Sequence, residues 1–131
     1  MRKPHEKSFP VLLAGKVVHG KALGRTVGMP TANIQICDES ILPEDGVYAT
    51  RIKVGEDVYL AVTNIGTRPT VDCENRVTVE AHILDFAEDI YGQNVELEVH
   101  KFLRPIQKFE KLEEVHRQVK KDIEKARKCL Q

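Results

Sequence analysis

The chain has 131 residues, 41% hydrophobic and 31% charged, with 20 Lys and Arg balanced by 20 Asp and Glu. This is the length and composition of one soluble globular domain. The zero net charge removes the broad attraction of a nucleic-acid or membrane-surface binder and leaves room only for a local basic site for a small anion. No apolar run reaches membrane-spanning length, and the start "MRKPHEKSF" lacks the apolar centre of a signal peptide. Cys37, Cys73 and Cys129 are far apart and odd in number, so reduced thiols in a cytoplasm are expected rather than a disulfide framework or a metal site.

The first two-thirds of the chain read as strands. "LLAGKVVHG" is followed by the glycine-spaced stretch "HGKALGRTVG", in which Gly20, Gly24 and Gly28 recur every fourth residue with Lys21 and Arg25 between them. Glycines let backbone N–H groups approach phosphates, and the basic side chains add charge. The stretch is neither a Walker A loop nor a dinucleotide fingerprint, because no Gly-Lys-Ser/Thr ends it and no helical pattern follows. A plain flexible loop between strands remains the alternative.

"GMPTAN" comes next and leads into the alternating "NIQIC". Pro30 biases Met29 toward an extended conformation. If the chain stays extended, Thr31 and Asn33 project to the same side. A hydroxyl and an amide oxygen would then converge as hard, uncharged ligands suited to Mg²⁺, with the missing charge supplied by a substrate's phosphates. A Pro-led turn in which Thr and Asn bond their own backbone is the alternative.

"GVYATRIKVGEDVYLAVTNIG" places two β-rich runs around Gly55-Glu56-Asp57, a hairpin signal. In "RVTVEAHIL", Val77, Val79, Ala81 and Ile83 share one face, and Thr78, Glu80, His82 and Leu84 the other. "NVELEVHKF" alternates in the same way through Val95, Leu97 and Val99. About six short strands with Gly- and Pro-marked turns predict an antiparallel barrel or sandwich.

Glu80 stands mid-strand on the face opposite the valines. Such a carboxylate is either solvated or, beside phosphates, able to take a proton from an alcohol. His82 shares its face, but a Glu-x-His pair with no third ligand does not support zinc chemistry. No Ser or Cys nucleophile motif occurs.

The tail has helical periodicity: Phe109, Leu112, Val115, Val119, Ile123, Ala126 and Leu130 form one apolar face. Glu110, Glu113 and Glu114 come early and Lys125, Arg127 and Lys128 late, as the helix dipole favours. No capping residue stands between Ile106 and Leu112, so the start is not marked. The helix should cover the barrel's flank or one open end.

Taken in order, "GKVVHG…GRTVGMPTAN", "GVY", "NIGTRPT", "VEAHILDFAEDIYG" and "FLRPIQKF…L…V…DIEKA" resemble the riboflavin kinase (flavokinase) family from about Gly15 to Ala126. The resemblance implies a mainly β fold: a six-stranded antiparallel Greek-key barrel with a C-terminal helix, spanning 15–131 behind an N-terminal extension, 1–14. It implies transfer of the ATP γ-phosphate to the ribityl 5′-hydroxyl of riboflavin, giving FMN. Carried over by motif, Thr31 and Asn33 would bind the Mg²⁺ of the nucleotide, and Gly20 and Arg25 would belong to a phosphate-covering loop. Glu80 would be the general base. Ile83 and Tyr91 would lie along the nucleotide, and Arg104, Gln107 and Phe109 on the flavin side.

Bacterial relatives often carry such a module behind a nucleotidyltransferase domain that makes FAD. No His-x-Gly-His occurs in this sequence, so this chain alone is not expected to make FAD, and a monomer is expected. A different class of reading is a flavin- or nucleotide-binding sensor that has lost catalysis. Retention of Thr31, Asn33 and Glu80 favours the kinase, since a sensor has little reason to keep a base.

Overall fold

A computed structural model describes residues 9–18, 31–69 and 75–130. Six strands form a closed barrel: β1 (Val11–Val18), β2 (Ala32–Ile36), β3 (Gly46–Val54), β4 (Asp57–Pro69), β5 (Asn75–Ile83) and β6 (Asn94–Arg104). One helix follows, α1 (Leu112–Leu130). Around the barrel the order is β1-β2-β5-β4-β3-β6, with every neighbouring pair antiparallel. Strands β3, β4 and β5 lie side by side in turn and β6 returns beside β3, which is the order of a Greek key. β1 begins at Val11, ahead of the Gly15 boundary expected from sequence.

The β3–β4 hairpin turns at Gly55-Glu56, where Gly55 takes φ +63°. That region is open to glycine at no steric cost, and a two-residue loop there fixes the register of the β3–β4 pairing.

Alternation sorts side chains inward and outward as the sequence predicts. Val79, Ala81 and Ile83 on β5 and Val95, Leu97 and Val99 on β6 join Leu13, Val17, Ile34, Ile36, Ile52 and Ile65 in the barrel interior. The interior also holds a polar pair: the Thr50 and Thr63 hydroxyls lie 2.8 Å apart, and Thr50 Oγ1 donates to the Ala61 carbonyl at 3.1 Å. Both threonines are fully buried, and these bonds meet the cost of burying their hydroxyls. The sequence alternation ran on to Leu84, but β5 stops at Ile83. Leu84 is buried in the following turn, and Asp85 adopts φ +56°.

β3 departs from alternation in its first half because both of its faces are covered. Tyr48, Ile52 and Val54 point into the barrel, while Val47 and Ala49 meet Val62, Ala126 and Leu130 in a second cluster beneath α1. The helix thus lies on the flank formed by β3, β4 and β6 rather than over an open end. Its last turn is tied down by Arg51, whose Nη2 donates to the Leu130 carbonyl at 2.7 Å, one of the carbonyls a helix end leaves unpaired.

The apolar stripe contains a residue that periodicity does not anticipate. Asp122 is 1% exposed and receives Arg104 Nε at 2.9 Å and Nη2 at 2.9 Å, with Gln118 Nε2 donating to it at 3.0 Å. A β-bulge makes this contact possible. The β3–β6 register shifts between Val47 and Tyr48, so Leu103 and Arg104 both reach the helix side although they are consecutive. A buried pair of this kind adds little net stability relative to a well-packed apolar pair, but losing one partner strands a charge. It therefore serves to fix where α1 docks.

Asp122→Ala is expected to cost about 3 kcal/mol, the lower end for a broken buried pair, because Arg104 keeps some water contact. Urea denaturation measures this; a loss below about 1 kcal/mol would place the pair among the weak surface bridges.

Candidate active site

The register brings residues from five strands into one line on the outer wall. Asn33 on β2 faces Glu80 on β5, and Glu80 faces Asn64 on β4. Asn64 faces Val47 on β3, and Val47 faces Arg104 on β6. Directly opposed residues share a face, with Cβ atoms about 4.5–5.5 Å apart. The face is the outer one, because Ile34, Ile65, Val79 and Tyr48 beside them all point inward.

Asn33 and Glu80, chosen from segments far apart in sequence, are therefore direct cross-strand neighbours. Both are half-buried. Thr31 is also half-buried and lies immediately before β2, one position beyond the last paired residues, Ala32 and Ala81. His82 lies two residues along β5 from Glu80 and faces Val62. No cluster of three His, Cys, Asp or Glu suited to a metal occurs among the described residues.

At the other end of the line, Arg104 is engaged by Asp122, and its Nη1 donates to the Pro105 carbonyl at 3.1 Å. Its guanidinium carbon is 6.0 Å from the centre of the Phe109 ring, within cation–π range. Phe109 precedes α1 rather than opening it, so the apolar face of the helix begins at Leu112. Gln107 is exposed in the same connecting segment. That segment folds back onto the barrel at Gly66: a Cβ there would meet Ile106 Cδ1 at 3.1 Å, so the missing side chain is what lets Ile106 approach β4.

Tyr91 sits in the β5–β6 turn with 54% of its surface exposed. The turn is held by Tyr91 N–H donating to Asp89 Oδ1 at 3.0 Å and by Gly92, with φ +85°, donating to the Val17 carbonyl at 2.8 Å. It therefore lies against the end of β1, whose last residue, Val18, is the other neighbour of Asn33. Ile83 belongs to the interior cluster, which leaves its main chain as the part within reach of a surface ligand. Gly20 and Arg25 lie outside the described residues, as does Cys73; Cys37 and Cys129 are free thiols. The sequence reading did not single out Asn64, Gly66 or Asp122. The order "NIG" carried the first two, but only the register shows Asn64 opposite Glu80 and Gly66 opposite Thr78.

A sequence profile of riboflavin kinase matches residues 7–130, nearly the whole chain. The chain belongs to the riboflavin kinase family. Among its relatives, the bifunctional riboflavin kinase/FMN adenylyltransferase of Escherichia coli K12 is 42% identical over 114 residues, covering 86% of this chain and 36% of that protein. The protein of the same name from Listeria monocytogenes is 36% identical over 119 residues, covering 91% and 38%. The chain thus spans less than two-fifths of the length of these relatives.

Among solved structures, riboflavin kinase from Trypanosoma brucei is similar with a TM-score of 0.69 and 28% identity, covering 95% of this chain and 82% of that one. A Streptococcus pneumoniae protein described as a macrolide-efflux protein is similar with a TM-score of 0.84 and 36% identity, covering 90% and 38%. No helix among the described residues is long and apolar enough to cross a membrane.

The register itself can be tested by chemistry. Cysteines introduced together by Asn33→Cys and Glu80→Cys should cross-link on mild oxidation, because opposed strand positions fall within the Cα range of a disulfide. Peptide mapping should find the link between 33 and 80, and a yield no higher than for a 33 and 78 pair would disprove the alignment.

Proposed function

We propose that this chain is a riboflavin kinase unit, which transfers the γ-phosphate of ATP to the ribityl 5′-hydroxyl of riboflavin and releases FMN and ADP. The observation that carries the proposal is the direct opposition of Asn33 and Glu80 on the barrel wall, in a chain of this family. A polar ligand oxygen and a carboxylate one strand apart can serve the two reactants of one phosphoryl transfer.

In this reading Glu80 accepts the hydroxyl proton as the oxygen attacks the γ-phosphorus, and the bond from that phosphorus to the ADP oxygen breaks. Thr31 and Asn33 offer a hydroxyl and an amide carbonyl. Both are hard and neutral, which suits Mg²⁺ that arrives with nucleotide phosphates rather than a resident ion. When bound, Mg²⁺ would offset phosphate charge in a transfer that depends mainly on positioning and charge neutralisation. Gly20 and Arg25 would cover the phosphates, and Tyr91 with the Ile83 main chain would lie along the nucleotide. Arg104, Gln107 and Phe109 would line the flavin side. Longer relatives named for a second, adenylyltransferase activity point to a nucleotidyltransferase domain as the natural neighbour of this unit. Cytoplasmic location follows the same reading.

Incubation with riboflavin, ATP and Mg²⁺ should yield FMN on chromatographic separation of the flavins; no FMN under these conditions would refute the proposal. Glu80→Gln keeps size and reach but cannot take the proton, and kcat should fall by on the order of 10², the lower part of the range for a positioned base. The fold should persist, since the side chain lies on the face opposite Val79. Wild-type kcat in that variant would exclude Glu80 as the base and move attention to His82.

Asn33→Ala should raise the Mg²⁺ concentration needed for half-maximal rate while leaving riboflavin affinity unchanged, because water replaces one fixed ligand. A Mg²⁺ titration that overlays the wild type would remove Asn33 from the metal site.

A further inference from the structure

We infer that Asn64 positions the acceptor substrate, by hydrogen bonding a hydroxyl of the polyol chain as it passes from the flavin-side segment to Glu80. The inference rests on the kinase reading above and extends it to a residue that reading does not use. Between Arg104 and Glu80 the outer wall offers two positions, Val47 and Asn64. Val47 is 2% exposed beneath α1 and cannot touch a surface ligand. Asn64 is exposed, and it is the neighbour of Glu80 on the side toward Arg104 and Phe109.

With strands about 4.8 Å apart, Asn64 stands one step from Glu80 and two from Arg104. A substrate whose ring rests at Phe109 and whose terminal hydroxyl reaches Glu80 must therefore cross the Asn64 position. The next outward residue on β4 is Gly66, which has no side chain and is approached by Ile106. Opposite Gly66 stands Thr78, whose hydroxyl donates to the Gly66 carbonyl at 3.2 Å. The lane is thus free of a β4 side chain on the ring side, with an amide next to the carboxylate. An amide both donates and accepts, as a hydroxyl does, so it can bond a polyol in either sense. A carboxylate at that place would only accept, and a lysine would only donate.

Riboflavin and lumiflavin, which has the same ring without the polyol chain, separate this role from ring binding. In Asn64→Ala the riboflavin Kd, read by flavin fluorescence, should rise about tenfold, the upper worth of one hydrogen bond. Lumiflavin affinity, the KM for ATP and the denaturation midpoint should stay at wild-type values. Asn64→Ser, which keeps a hydroxyl, should recover part of the loss. An Asn64→Ala variant that binds riboflavin as the wild type does, or that loses both flavins equally, overturns the inference while leaving the kinase reading intact. A wild-type protein that makes no FMN overturns both.

Discussion

Everything in this molecule depends on the register in which its six strands close. A strand's side chains alternate with a period of two, so a slip of one residue in β5 would send Glu80 into the barrel and Val79 out to solvent. The interior prevents it: Val79, Ala81 and Ile83 are buried among the inward residues of the neighbouring strands, and a carboxylate in their place would have no water and no cation. The outer line from Asn33 to Arg104 is thus held in place by apolar residues that never contact a ligand. Precision at the candidate site is a by-product of core packing.

A second layer of order is added by α1. Its apolar face covers Val47, Ala49 and Val62, so β3 is enclosed on both sides over its first half. Arg104 joins the two layers, bonded to Asp122 on the helix while its guanidinium stands near the Phe109 ring. A residue expected on the flavin side is therefore also a fastening for the helix. Arg104 is a poor subject for assigning a binding role by deletion alone, because its loss leaves a buried carboxylate behind.

Much of this architecture could be read from the sequence, and the parts that could not share a physical cause. The faces of β5 and β6 were plain because each has one wet side and one dry side. β3 was less so, because a strand covered on both faces loses its polar beat. The apolar stripe of the helix was visible, but its start was not, since no capping residue marks it and Phe109 fits the same period from outside. Asp122 falls on the same face as the stripe but was not singled out, because nothing local reveals that a bulge at Leu103 turns Arg104 toward it. Thr31, Asn33 and Glu80 stood out by motif, and the pairing of Asn33 with Glu80 gave them a common place. Asn64 lies in "NIGTRPT", but that segment alone gave it no role. Its interest comes from its neighbours, and neighbours across strands are set by tertiary pairing.

The pairing of β1 with β6 governs how the chain can be assembled. β1 ends at Val18 and its partner β6 begins only at Asn94. During synthesis the first strand must wait for most of the domain before one of its edges is covered, while the β3–β4 hairpin can form as soon as it emerges. Closure of so long a loop is the entropically expensive, non-local event that slows barrels. Until it happens, the hydrogen-bonding edges of β1 and β3 that β6 will cover stay open to foreign strands. Protection against aggregation thus arrives with the last strand, and so does Arg104 at its end, on which the helix then docks.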